Sequence, residues 1–148
     1  MQWKPNVTVA AIIQKNNQFL LVEELVEGKI VINQPAGHLE NNESLIDAVK
    51  REVFEETAWH FNPIGLSGIY LFTNPYNNIT YLRFCFFGEC LNFDELSQLD
   101  SGIIKTFWIS RNDLNSKIYS LRTPLVLRCI EDFLSGQSIS LDILKIYT

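Results

Sequence analysis

At 148 residues, 47% hydrophobic and 20% charged, the chain has the size and composition of one folded domain, which excludes a disordered or fibrous architecture. A formal net charge of -5 and a pI near 5.0 give no general attraction to a nucleic-acid polymer or an anionic membrane. A phosphorylated ligand would therefore need local positive charge or a bound cation.

Residues 1–5 lack the basic and apolar regions of a secretory leader, and no run reaches the roughly 18 apolar residues of a membrane span, so the sequence reads as cytoplasmic. Residues 7–13 and 19–22 read as a hairpin around the polar turn Lys15-Asn16-Asn17. A second turn at Glu27-Gly28-Lys29 leads into a short strand over 30–32, closed by Pro35 and Gly37.

Residues 44–57 contain neither Gly nor Pro, and Leu45, Ala48, Val49 and Val53 recur at helical spacing, with Asn42 or Ser44 available as the N-cap. Asn62-Pro63, Gly65 and Gly68 then break the pattern before a strand over 69–72. A polar loop over 74–78 precedes a buried strand over 81–91. The polar stretch 92–101 leads to another strand over 103–109.

Thr123 and Pro124 supply an N-cap and a favoured first residue for a closing helix, which Gly136 stops and whose apolar positions are Leu125, Ile130, Phe133 and Leu134. The order predicts an α/β protein of α+β type, with helices packed on a mixed sheet in a single domain over 1–148. The three cysteines, Cys85, Cys90 and Cys129, have no metal-binding spacing and read as buried, reduced thiols.

The chemistry is concentrated in Arg51-Glu52-Val53-Phe54-Glu55-Glu56. Glu52, Glu55 and Glu56 stand three and four residues apart and share one helix face. Like charges so placed destabilise a helix by about 0.2–0.5 kcal/mol per pair, so three together point to a compensating cation. Hard oxygen ligands on a rigid element suit Mg2+, which takes its remaining ligands from water and substrate phosphates; Mn2+ is the expected substitute. Taken alone, the same residues also fit a solvated acidic face in which Arg51 pairs with Glu55.

The longer spacing decides between these. From Gly37, five residues lead to Glu43, seven more to Arg51-Glu52, and then come Val53, Phe54, Glu55, Glu56, Thr57, Ala58 and Trp59. This resembles the box of the Nudix hydrolases: Gly, five residues, Glu, seven residues, Arg-Glu, an aliphatic, any residue, Glu-Glu, any residue, Gly, an aliphatic. Ala58 stands in place of the usual Gly and Trp59 in place of the aliphatic residue, which leaves the helix exit open to question. Outside the box, Val7-Thr8-Val9-Ala10, the run from Asn33 to Glu40, Leu82-Arg83-Phe84 and the run from Leu121 to Val126 resemble the NudJ branch of the family.

The resemblance implies a mixed sheet sandwiched between helices and a monomeric Mg2+-dependent phosphatase. Its substrates would be nucleoside tri- and diphosphates and hydroxymethylpyrimidine diphosphate. It implies Glu52, Glu55 and Glu56 as metal ligands, an oxygen from the backbone around Ala36 and Gly37, and Arg51 with Glu43 as the groups that orient them. Glu52 is favoured for positioning or deprotonating the attacking water.

Asp100 is the candidate additional ligand, with Glu89 as its rival. Arg83 and His38 are candidate phosphate contacts, against ordinary readings as a strand-surface ion pair and a surface histidine. Trp3, Phe72 and Tyr76 are aromatic candidates for stacking on a substrate ring, against core or hairpin packing. Two alternatives share these residues. One is a Nudix pyrophosphatase specific for a nucleotide sugar or dinucleotide, and the other an inactive Nudix-fold binding module.

Overall fold

A computed structural model describes residues 1–147. The first three strands, β1 (Asn6–Lys15), β2 (Gln18–Val26) and β3 (Lys29–Asn33), follow one another as the turn residues dictate. Asn16, Asn17, Glu27 and Gly28 all take positive φ in the two tight connections. A three-residue strand, β4 (Ala36–His38), pairs antiparallel with β1 and brings Gly37 opposite Val9. The helix α1 (Leu45–Thr57) comes next, then β5 (Trp59–Thr73), β6 (Thr80–Phe93) and β7 (Ile103–Ser110). A short α2 (Arg111–Leu114) and a 3-10 turn over Asn115–Ser120 lead to α3 (Pro124–Leu134), and β8 (Ile139–Ser140) closes on β5.

The strands run in the order β3-β2-β1-β6-β5-β8, with β4 also on β1 and β7 also on β2. The β1–β6 pair is parallel and the other named strand pairs are antiparallel, so the sheet is mixed. Alternation along β1 divides the core. Val9, Ala11 and Ile13 pack with Ala48, Val49 and Val53 of α1, while Ala10 and Ile12 pack with Cys129 and Ile130 of α3. Helices therefore cover the sheet on two faces. Each fully buried Val, Leu or Ile contributes about 1.5–3 kcal/mol relative to exposure, which is what fixes the register of β1 between the two helices.

Ser44 is the cap that α1 uses: its Oγ accepts from the Asp47 N–H at 2.9 Å. Thr123 caps α3 in the same way, accepting from the Leu125 N–H at 3.2 Å, with Pro124 as the first helical residue.

Two expectations need correction. The segment from Asn62 to Gly68 does not interrupt the chain; it is the first half of β5, paired with β6 throughout. Three register shifts, at Trp59/Phe61, Pro63/Gly65 and Leu66/Gly68, absorb the proline and glycines as bulges. Gly65 is required by packing, since a Cβ there would lie 2.8 Å from the Phe87 ring. Cys85 and Cys129 are fully buried, but Cys90 is only partly so, and all three are free thiols.

Candidate active site

The site forms where α1 passes β4. Thirteen residues of uninterrupted helix place Glu52 and Glu56 on the inner side, both buried, and leave Glu55 half-buried at the rim. The Glu52 carboxyl group lies over Gly37, filling the space a Cβ would take. Glu56 points further in, and its Oε1 accepts from the Ala36 N–H at 2.9 Å. Asp100 reaches the site from the loop before β7. Carboxylate oxygens of Glu52, Glu55 and Asp100 all lie within 4.8 Å of one another. Glu56 is not a member of that trio and has one oxygen bonded to the β4 backbone, and Glu89 lies outside it, exposed opposite Asn62 in the β5–β6 ladder.

Arg51 ties these parts together. Its Nε and Nη2 grip the two Glu43 oxygens at 2.6 and 3.0 Å, Nη2 also donates to the His38 carbonyl at 3.0 Å, and Nη1 donates to Glu52 at 2.7 Å and Glu55 at 3.2 Å. Glu40 adds a fourth carboxylate at 3.4 Å. The planar fork suits this geometry, and the surrounding acids raise the Arg51 pKa while its guanidinium lowers that of Glu43.

Burial dominates the electrostatics of the inner carboxylates. It pushes Glu52 up to about 6 against the opposing pull of Arg51, and it raises Glu55 as well. Burial pushes Glu56 up to about 9 despite the Ala36 hydrogen bond, and the charges of Glu24, Glu52 and Asp100 act in the same direction. Such crowding of acids is favourable when a divalent cation shares them. Two carboxylates on a helix held against a glycine and a third from the loop before β7, with oxygens within 4.8 Å of one another, fit a hard divalent cation.

The remaining predicted residues are spread more widely. His38 has an exposed side chain, and its contact with the site is its carbonyl, bonded to Arg51. Arg83 is buried rather than at the strand surface, and among the described residues it forms no ion pair. It is 7% exposed, donates from Nη2 to Gln34 at 2.5 Å and to Asn33 at 3.4 Å, and has a buried Nε with no hydrogen-bond partner among the described residues. Trp3 and Tyr76 are largely exposed, and Phe72 is half-buried on β5 opposite Tyr81. Ala58 takes the left-handed conformation, φ 64°, and its N–H bonds the Phe54 carbonyl, so the helix exit keeps its turn without a glycine.

Sequence reasoning missed Glu24 and Arg122. Glu24 is buried at the edge of β2, where a register shift against β7 falls between Glu23 and Glu24, and Arg122 Nη1 donates to it at 2.5 Å. For Arg122 the signal was its place in the run from Leu121 to Val126, and for Glu24 an acidic pair ending an apolar strand, whose register shift against β7 is not legible in sequence.

A NUDIX domain model matches residues 3–128. This chain belongs to the Nudix family. Among curated relatives, Phosphatase NudJ of Shigella boydii is 37% identical over 142 residues, covering 96% of this chain and 92% of that protein. Phosphatase NudJ of Escherichia coli K12 is 36% identical over the same share. Among solved structures, a NUDIX hydrolase from Nitrosomonas europaea superposes with a TM-score of 0.96 at 50% identity, over 97% of this chain and 98% of that one. The NUDIX domain of Shewanella oneidensis NrtR, complexed with ADP ribose, shares the fold at a TM-score of 0.72 and 16% identity, covering 91% of this chain and 90% of that one. This Nudix protein is a NudJ-like hydrolase of phosphoanhydride bonds. None of its described helices is long and apolar enough to cross a membrane.

Proposed function

We propose that the chain is a Mg2+-dependent phosphatase that releases orthophosphate from nucleoside tri- and diphosphates and from hydroxymethylpyrimidine diphosphate, by attack of water on phosphorus. The observation that carries this reading is the meeting of Glu52, Glu55 and Asp100 oxygens within 4.8 Å beside Gly37, in a chain 37% identical to a protein named for phosphatase activity. Mn2+ would serve as a substitute metal. The enzyme is read as a cytoplasmic monomer, one domain over 1–148, acting on a small phosphorylated molecule.

Glu52, Glu55, Glu56 and Asp100, with the backbone at Ala36 and Gly37, would hold the metal. When bound there it supplies charge neutralisation for the phosphate oxygens and activation of water. Glu52, whose carboxyl group lies over Gly37 beside Glu55 and Asp100, is the favoured group to orient the attacking water and accept its proton. Arg51 and Glu43 position the ligands from behind and hold the β4 loop through the His38 carbonyl. Arg83, its guanidinium held by Gln34 and Asn33, is the candidate inner contact for a substrate phosphate. His38 is the candidate outer contact for a phosphate.

The test is turnover with Mg2+ across nucleoside tri- and diphosphates, nucleotide sugars, dinucleotides and hydroxymethylpyrimidine diphosphate, measuring orthophosphate and pyrophosphate separately. Orthophosphate from several substrates is expected. Cleavage of only a nucleotide sugar or dinucleotide would move the enzyme to the pyrophosphatase reading. No metal-dependent turnover at all would leave a binding module.

A further inference from the structure

Ala58 ends α1 in the left-handed turn, and Trp59 is the first residue beyond it, at the position where the box usually carries an aliphatic side chain. Its indole is half-buried on the core cluster that contains Val49 and Val53. The ring centroid lies 5.1 Å from that of Phe93, and Lys15 Nζ stands 5.8 Å from it. Trp108, opposite Leu20 in the β2–β7 ladder, is half-buried on the same cluster.

Together with Lys15, Asn16 and Gln18, these two indoles line an open cleft of about 210 Å3. The cleft is separate from the acidic site, since Glu52, Glu55, Glu56 and Asp100 are not among its lining residues. Trp108 stands five residues beyond Ile103, the start of β7 after the Asp100 loop, which is about 17 Å at the rise of a strand.

Two half-buried tryptophans over a core are ordinary packing, but the charge of this cleft is not ordinary for this chain. The net charge is -5, yet no carboxylate lines the cleft. Among the described residues, Lys15 forms no ion pair. The contact with the Trp59 ring orients its ammonium and leaves N–H donors for an anion.

Size and lining narrow the ligand further. The volume is below the roughly 300–1,000 Å3 of a drug-sized ligand pocket, so it admits one planar ring system with the rest of the molecule outside. The indoles supply stacking surface, and the Asn16 and Gln18 carboxamides supply donors and acceptors for the edge of the ring. A neutral sugar would also stack on an indole, but it would gain nothing from the Lys15 charge.

We propose that the Trp59–Trp108 cleft is a second ligand site, which takes the base of a nucleoside monophosphate against the indoles and its phosphate at Lys15, without a metal. The choice of nucleotide rests on the phosphohydrolase reading above, under which this molecule is the product of nucleoside diphosphate hydrolysis. The preference for an anionic planar ring rests on the cleft alone.

The indole N–H resonances of Trp3, Trp59 and Trp108 report on the cleft separately. They are followed in isotope-labelled, metal-free protein during titration with AMP, adenosine, ribose 5-phosphate and glucose, with Trp3→Phe and Trp108→Phe to assign them. Millimolar AMP should shift Trp59 and Trp108 and leave Trp3 in place, while ribose 5-phosphate and glucose should shift none of them. Adenosine should bind about 2–5-fold more weakly than AMP, the worth of one exposed ion pair. Lys15→Ala should weaken AMP by the same factor, leave adenosine binding as it was, and leave Mg2+-dependent turnover unchanged. Trp108→Phe should weaken both ligands about 5-fold or more, through lost stacking.

No shift of Trp59 and Trp108, an equal response of Trp3, or unchanged AMP affinity in Lys15→Ala would overturn the assignment. A response to glucose matching that to adenosine would overturn it too, by making the cleft a sugar platform. Turnover of nucleotides with Mg2+ but without the indole shifts would remove the second site alone. Indole shifts in a protein that hydrolyses no nucleotide would uphold the cleft and remove the phosphohydrolase reading.

Discussion

The Glu52 carboxyl carbon lies 2.1 Å from where a Cβ on Gly37 would be, and both its oxygens lie within 2.3 Å of that point. Glycine is needed there for the absence of a side chain, since the residue is not in the left-handed region. Gly37→Ala should push Glu52 out of the site while α1 and β4 still form. Metal-dependent turnover should fall roughly 10–100-fold, the range for disturbed ligand orientation, with the melting temperature little changed. Full activity in a folded Gly37→Ala protein would show that Glu52 need not occupy this position.

Glu56 gives the molecule a pH-dependent stability. Its pKa rises from the ordinary 4.5 to about 9, and that of Glu52 from 4.5 to about 6, so across these intervals the native state holds more protons than the unfolded chain. Stability is then fullest below about pH 4.5 as far as these groups are concerned. It is lost as pH rises, first through 6 and then through 9. Metal-free protein should melt progressively lower from pH 5 to pH 9, and added Mg2+ should reverse the trend by favouring the ionised forms. Glu56→Gln should flatten the profile, raise the metal-free melting temperature by several degrees at pH 8, and lower turnover on the order of 100-fold. Calorimetric scans with and without chelator check this.

Arg51 should tolerate no substitute. Lysine keeps the charge but cannot hold both Glu43 oxygens, the His38 carbonyl, Glu52 and Glu55 at once. Arg51→Lys is expected to weaken Mn2+ binding roughly 10-fold or more. Titration followed by electron paramagnetic resonance measures it directly, independent of turnover.

Asp100 and Glu89 make a matched pair of tests. Asp100→Asn removes one member of the carboxylate trio and should weaken Mn2+ binding about 10-fold. Glu89→Gln, exposed on the β5–β6 ladder, should leave it unchanged. The reverse ranking would transfer the ligand role to Glu89.

Ala58 holds a conformation that disfavours a Cβ, with φ at 64°. Ala58→Gly should relieve that strain, partly offset by the loss of a buried methyl group, for a net gain of about 0.5–1 kcal/mol in denaturant unfolding. A loss of stability would mean that the buried methyl matters more than the turn.

Much of the site was legible because α1 combines helical periodicity with fixed charge spacing, both local properties of the chain. Ser44, Thr123 and Pro124 were readable for the same reason, since caps act within one turn. Continuity of β5 through Pro63, Gly65 and Gly68 was not, because the bulges depend on β6 partners such as Phe87 rather than on neighbours in sequence. The short α2, the 3-10 turn over Asn115–Ser120 and β8 carry too few residues for a periodic signal. The environment of Arg83 was hidden likewise, with Gln34 and Asn33 lying 49 and 50 residues away in the chain, and Glu24 and Arg122 are 98 residues apart.

The loop that delivers Asp100 is stapled at both ends to the helix it serves. The Asp94 N–H bonds the Ala58 carbonyl and the Asp100 N–H bonds the Glu55 carbonyl, which satisfies two groups that a helix end leaves open. Terminating the helix and completing the acidic trio are thus one structural act. Between the staples, exposed Glu95, Leu96 and Gln98 carry neither duty, and the segment has room to diversify in length and composition. New outer surface can be drafted there over evolutionary time while the distance from Asp100 to Glu55 stays under the helix's control.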